Sequence, residues 1–305
     1  MTLPIASTDV NLAERIELAC LLEATAAKPG NVHPTASFVD LSYQDFVVAA
    51  RLIGQAMGEN SGGVGELVLA AAKAVDEQVS KNVNLGIILL MAPLVVAHRR
   101  GGIEQHLDDV LDGLTIEDAK AVYEAIRTMK PGGLSTTPSQ DVSQEPTETL
   151  LAVMRLAADR DAIAAEYATG FTVVRRNGLP WLEMTSEDFW DDWEQHVTGL
   201  FLHLLSSLPD TLISRKTDRQ TSYEVTQKAT AILDAGWPHT LESQTLQKEF
   251  DVYLRADGNS LNPGTTADLV AATLLAGILM GMLPVSAEKV SWFKNVCREK
   301  GGQLG

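Results

Sequence analysis

Cysteine is scarce in this chain: Cys20 and Cys297 are the only two among 305 residues. Neither lies in a Cys/His set with metal-ligand spacing, which excludes a zinc framework and a disulfide scaffold and fits a reducing, cytoplasmic setting. Positive charge is short as well, with 24 Lys and Arg against 40 Asp and Glu and a formal net charge of −16. That balance supplies no field for a nucleic-acid or anionic-membrane surface. Strand patterns are nearly missing. Phe171 to Arg176 is the one β-branched stretch, and since a lone strand has nothing to pair with, it is read as helix or loop. No Gly-x-x-x-x-Gly-Lys-[Ser/Thr] loop and no strand-bound Gly-x-Gly-x-x-Gly occurs, so P-loop and Rossmann nucleotide sites are excluded. Met1 to Asn11 lacks a basic segment followed by an apolar one and is not read as a signal peptide. The apolar run Leu85 to Ala97 is too short to cross a bilayer, and Leu269 to Val285 is interrupted by Thr273, two glycines and Pro284; both are read as buried core helices.

What the chain does contain is helical periodicity. It predicts an all-α fold: one compact domain spanning residues 1–305, of roughly ten helices, with apolar helices at its centre. Asn11 opens a helix that ends before Pro29. Ser42 with Asp45 and Thr115 with Asp118 read as capping boxes for helices Tyr43 to Met57 and Thr115 to Met129. Further helices are predicted at Glu66 to Val79, Leu85 to His98, Thr147 to Ala168, Glu187 to Leu208, Gln220 to Ala235, Gln244 to Ala256, Ala267 to Met282 and Ala287 to Lys300. Lys130 to Glu145, rich in Pro, Gly, Ser and Thr, reads equally as a lid or as a solvated linker.

Three motifs stand at the ends of these helices: Lys28-Pro29-Gly30-Asn31-Val32-His33, Lys81-Asn82-Val83-Asn84-Leu85-Gly86, and Asn262-Pro263-Gly264-Thr265-Thr266-Ala267-Asp268. Unpaired N–H groups and the positive end of a helix dipole hold phosphate at such places. Asn82 and Asn84 also serve as ordinary caps for the following helix, and Thr265-x-x-Asp268 reads as a capping box. Two carboxylates fall on apolar stripes. Glu23 follows Leu12, Ile16 and Ala19 on one face, and Asp161 follows Leu150, Met154 and Ala157. Each alone suggests an ion pair; together they suggest a Mg²⁺ or acid–base site. Arg215-Lys216 is the candidate phosphate clamp.

Glu23 with Lys28-Pro29-Gly30-Asn31, the Asn82-x-Asn84-Leu85-Gly86 turn, Asp210-Thr211-x-x-x-Arg215-Lys216, and Asn262 to Leu269, taken in this order and spacing, resemble the triphosphoribosyl-dephospho-CoA synthase family. The resemblance runs from about Glu14 to Leu283. It implies an all-α enzyme that takes ATP and 3′-dephospho-CoA, releases adenine, and joins the triphosphoribosyl group to a ribose hydroxyl, for a prosthetic group. After Lys28-Pro29-Gly30 the chain departs from the family pattern: Asn31-Val32-His33-Pro34 leads to Phe38-Val39-Asp40-Leu41. Glycosyl transfer from ATP to a pterin-type acceptor, and a non-catalytic nucleotide-binding module, therefore stay open as alternatives.

On the reading favoured by the resemblance, Glu23 and Asp268 are the catalytic candidates, one taking the hydroxyl proton or facing the positive charge that builds on ribose C1′. Such a role contributes roughly 10² to 10⁴ in rate. Lys28, Gly30, Asn31, His33, Asn82, Asn84, Gly86, Arg215, Lys216, Asn262, Gly264, Thr265 and Thr266 are the candidates for nucleotide and phosphate, and Asp161 and Asp268 for Mg²⁺. The expected partners are ATP and a small hydroxyl acceptor, with no nucleic acid and no membrane; self-association into a homo-oligomer is left open.

Overall fold

The computed structural model describes residues 10–131 and 139–301. Along them run α1 (Leu12–Thr25), α2 (Tyr43–Glu59), α3 (Val64–Val79), α4 (Leu85–Arg99), α5 (Ile103–Asp112), α6 (Ile116–Met129), α7 (Leu150–Ala157), α8 (Ala162–Thr169), a π-helical turn (Val174–Gly178), α9 (Leu179–Thr185), α10 (Trp193–Ser207), α11 (Thr211–Lys216), α12 (Arg219–Asp234), α13 (Leu241–Arg255), α14 (Gly264–Leu279) and α15 (Ala287–Gly301). Among the described residues there is no strand, only an isolated bridge between His33 and Ala36. The class is all-α, as the periodicity predicts, but the helices among the described residues number fifteen rather than about ten.

The excess has local causes. The predicted helix Thr147 to Ala168 breaks after Ala157, because the Arg160 and Asp161 amides both turn back to the Ala157 carbonyl at 3.0 Å. Asp161 then caps a new helix, its Oδ1 accepting from Ile163 N at 2.9 Å and Ala164 N at 3.1 Å. The predicted helix from Glu187 starts only at Trp193, where Asp192 caps it. Helices α5, α9 and α11 are short and were not predicted. Phe171 to Arg176 forms no strand; it leads into the π-helical turn, whose first amides, Val173 and Val174, donate to the buried Glu166 carboxylate at 2.8 and 3.0 Å. The predicted capping boxes Ser42/Asp45 and Thr115/Asp118 both form.

Two apolar helices lie at the centre. Helix α14 packs against α1, α4, α10 and α11, and α1 in turn packs against α2. Burial on every side matches helices that are apolar all round. Within α14 only Gly264 and Asp268 escape full burial, one turn apart at its start. Pro93 removes the amide that would bond the Leu89 carbonyl inside α4, and the Tyr167 hydroxyl donates there instead at 2.6 Å. No single helix among the described residues is long and apolar enough to cross a membrane. Of the loop Lys130 to Glu145, residues 132–138 lie outside the described residues. Its later part is tied to α6 by Tyr123, which donates to Gln140 O, and by Arg127, which donates to Val142 O at 2.8 Å.

Candidate active site

The N-termini of α4 and α14 meet at one cavity. A methyl group placed on Gly86, in the first turn of α4, would lie 2.0 Å from Asp268 Oδ2 and 2.4 Å from its Cγ, so the missing side chain is what lets the two helices approach. In neither helix does the residue before the first turn supply a side-chain cap. Asn84, the residue before α4, sits in the left-handed region at φ 63°, and Pro263 precedes α14. The expectation that Asn82 or Asn84 caps α4 fails for that reason. The Thr265/Asp268 box fails too, because α14 begins at Gly264, three residues before the predicted start. Both helices point their positive dipole ends at the same space; the start of α4 has no side-chain cap, whereas in α14 the Gly264 amide donates to Asn262 O and the Thr266 amide to Asp210.

That space holds about 930 Å³. Glu23 and Asn31 line it from the α1 side, and Asn82, Asn84 and Gly86 from the start of α4. Asp161, Arg215 and Lys216 line it from α8 and α11, and Asn262, Gly264, Thr265 and Asp268 from the start of α14. Asn82 Oδ1, Asn84 Nδ2 and Asn262 Oδ1 are buried in this wall without a hydrogen-bond partner. Buried polar atoms in folded proteins are almost always paired, so these three leave hydrogen-bonding capacity turned to the cavity that water or a ligand can meet.

Acids crowd the floor. Burial, and then the negative charges of Glu23, Asp210 and Asp161, push the Asp268 carboxyl well above the usual carboxylate range; Arg215 opposes them. Glu23 is buried and pairs with Lys28 Nζ at 2.9 Å. Asp161 Oδ2 accepts from Arg215 at 3.2 Å. Lys216 donates to Asn259 O at 3.0 Å, and burial followed by the neighbouring Arg215 charge lowers its pKa. Lys81, at the edge of the same cavity, pairs with Asp45 at 2.8 Å.

The model of the CitG family, ATP:dephospho-CoA triphosphoribosyl transferase, matches residues 9–284. The chain belongs to this family. Its fold is similar to the crystal structure of a candidate triphosphoribosyl-dephospho-CoA synthase from Archaeoglobus fulgidus, with 27% sequence identity and a TM-score of 0.63, covering 79% of this chain and 99% of that one. A comparison with curated proteins finds no match. The enzyme is thus a transferase of the triphosphoribosyl-dephospho-CoA synthase type.

Four of the residues proposed for phosphate do not line this transferase's cavity. Lys28 is fully buried, and its ammonium is shared among the Glu23 carboxylate, the Glu23 carbonyl and the Ala26 carbonyl. Gly30 has φ +73°, donates its amide to Asp251 at 2.7 Å, and packs so tightly on Leu254 that a Cβ would meet it at 2.8 Å. His33 bonds Thr35 at 3.2 Å; burial, then the charges of Arg255 and Lys28, lower its pKa to about 4. Thr266 donates its amide and hydroxyl to Asp210 Oδ2 at 2.7 and 2.8 Å. The first motif is therefore a brace: it is anchored on α13 and delivers Glu23 and Asn31 to the cavity.

Asp210 belongs to a motif that carries the family resemblance, but the sequence reading gives it no role in the site. It is buried, its Oδ1 accepts from the Leu212 and Ile213 amides at 2.9 and 3.1 Å, and its Oδ2 holds Thr266. The Asp-Thr pair at the head of a short basic helix is a cap signal, but nothing in the sequence ties it to residues 56 positions away. Lys81 and Lys130 also line the cavity. Lys81 sits in the second motif; Lys130 stands beyond the end of α6 with no local signal.

Proposed function

We propose that the cavity binds ATP with its triphosphate against the starts of α4 and α14, and that the enzyme transfers the triphosphoribosyl group to a hydroxyl of dephospho-CoA with release of adenine, as a step in making a prosthetic group. The observation that carries this reading is the set of orphaned Asn82, Asn84 and Asn262 atoms beside the converging starts of α4 and α14. Amides and an Asn84 amino group suit phosphate oxygens, and the carboxamide oxygens of Asn82 and Asn262 suit sugar hydroxyls or the adenine amino group. Arg215 and Lys216 add the cationic side.

Breaking the glycosidic bond builds positive charge on C1′ of the ribose. Glu23, fixed by Lys28, places a negative charge on the cavity floor for that centre. Asp268, whose surroundings favour its protonated form, is the group suited to exchange a proton with the acceptor hydroxyl or the departing adenine. Mg²⁺ is usually held by one or two carboxylates together with substrate phosphates, and Asp161 fits that demand as a wall residue, whereas Asp268 would do so only after giving up the proton its surroundings favour. Among the described residues no group of three or more His, Cys, Asp or Glu is close enough to form a metal cage of its own, so the ion would arrive with the nucleotide and neutralise its charge.

The test is adenine release from ATP, followed by chromatography, with dephospho-CoA and a panel of other hydroxyl acceptors including pterins. Adenine is expected with dephospho-CoA. Glu23→Gln and Asp268→Asn are each expected to slow it about 10²- to 10⁴-fold. If both variants stay within a few-fold of the unmodified enzyme, the roles given to these acids are wrong; phosphate or ADP in place of adenine would reject the reaction itself.

A further inference from the structure

A second cavity, of about 1250 Å³, adjoins the first. Leu89, Ile126, Lys130, Asp161, Ile163 and Arg215 line both, so the Asp161–Arg215 ion pair stands at the boundary between them. The far wall is apolar, built by Val122 of α6 and by Leu150, Val153 and Met154 of α7. Three guanidinium groups stand around it. Arg127 donates to Val142 O at 2.8 Å, Arg160 to Leu156 O at 2.9 Å and to Asp159 at 3.4 Å, and Arg219 to Asp159 O at 3.1 Å. Each guanidinium has five N–H donors, so most of their capacity is left for a ligand. Such a gathering of arginines is conspicuous in a chain of net charge −16.

Single-ligand pockets usually run to about 300–1,000 Å³, and the first cavity already sits near the top of that range. Joining two nucleotide-sized substrates requires two chambers that open on the same reacting atoms. Resting on the transfer reaction proposed above, we propose that the second cavity is the acceptor chamber, holding dephospho-CoA with its uncharged amide arm on the α6–α7 wall and its diphosphate among Arg127, Arg160 and Arg219. The acceptor ribose then reaches the donor cavity past the Asp161–Arg215 pair. Charge and shape agree: an anionic centre with a long neutral arm fits arginines beside an apolar wall, whereas the donor triphosphate fits the helix starts next door.

Calorimetric titration with dephospho-CoA, and separately with a non-hydrolysable ATP analogue, tests this directly. The variants are R160E/R219E, which reverses two exposed charges, and Val153→Trp, which fills the chamber. Dephospho-CoA affinity is expected to fall at least tenfold in both, with analogue affinity within twofold of the unmodified enzyme. Should Val153→Trp fail to fold, the exposed arginine pair still gives the answer. Unchanged dephospho-CoA affinity, an equal loss of analogue affinity, or no dephospho-CoA binding by the unmodified enzyme would overturn the assignment. Binding that responds to these variants, in an enzyme that releases no adenine, would refute the transfer reaction and leave the chamber standing.

Discussion

Replacing Asn262 by alanine separates a carboxamide kept for a ligand from one kept for the fold. Its Oδ1 is buried without a partner, whereas its backbone is engaged, the amide donating to Asn259 O at 3.3 Å and the carbonyl accepting from Gly264 at 2.8 Å. An unsatisfied buried polar atom costs about 1–3 kcal/mol, so deleting it while leaving the backbone bonds intact is expected to leave the ligand-free protein as stable as before or more stable by about 1 kcal/mol. For a chain of this size that is a rise in Tm of about 2 °C. Binding moves the opposite way: the ligand donor that met Oδ1 is left unpaired, again at about 1–3 kcal/mol, which is about 5- to 150-fold in Kd. Thermal unfolding with and without a non-hydrolysable ATP analogue, together with calorimetry, reads both quantities. The ligand-induced rise in Tm is expected to shrink in the variant, since that rise scales with the logarithm of ligand concentration over Kd. A drop in Tm of several degrees with unchanged nucleotide affinity would show that Asn262 holds the turn together and that its orphaned oxygen has nothing to do with substrate.

Lys28→Met leaves Glu23 buried without its counter-charge and is expected to lower the unfolding free energy by about 3–5 kcal/mol in urea titration, while Lys28→Met with Glu23→Leu recovers most of that loss. Gly86→Ala drives a methyl group into Asp268, so adenine release is expected to fall at least tenfold, with a stability loss of about 1–3 kcal/mol. Burial raises the Glu166 carboxyl from 4.5 to about 7, its two backbone bonds opposing the shift only in part. The folded state then holds the proton more tightly than the unfolded chain, so this group's contribution declines as pH rises from 4.5 to 7, by about 3 kcal/mol. Urea titrations at pH 5 and pH 7.5 are expected to show a decline larger by about 3 kcal/mol in the parent enzyme than in Glu166→Gln, the other raised carboxyls being common to both; parallel profiles would contradict it.

Much of this site was legible because helix starts announce themselves. The apolar runs after Asn84 and Pro263 marked the two buried helices, while Gly86 and Gly264 read only as phosphate candidates and the close approach at Gly86 comes from the structure. The stripe through Leu12, Ile16 and Ala19 placed Glu23 inside, where the structure has it. What escaped was long-range. Asp161 continues an apolar stripe on paper, yet the chain breaks there, because Asp competes for backbone amides and starts α8 instead of continuing α7. The reversal of Lys28 from phosphate ligand to internal counter-ion has the same origin: its partner Glu23 lies within reach, and burial of both leaves no charge to offer. The Thr265/Asp268 spacing looks like a local cap, but α14 already begins at Gly264, which puts both residues inside the helix.

Asp210 links two chemistries that would otherwise be independent. A single carboxylate fixes the helix that carries Arg215 and Lys216 to the start of the helix that carries Asp268. Cationic and acidic halves of the pocket are thereby geared together, and neither can shift without dragging its counterpart. A dead Asp210 variant would consequently be uninformative about contact with substrate: it would uncouple the halves at a distance from the reacting atoms, and inactivity there would measure lost alignment.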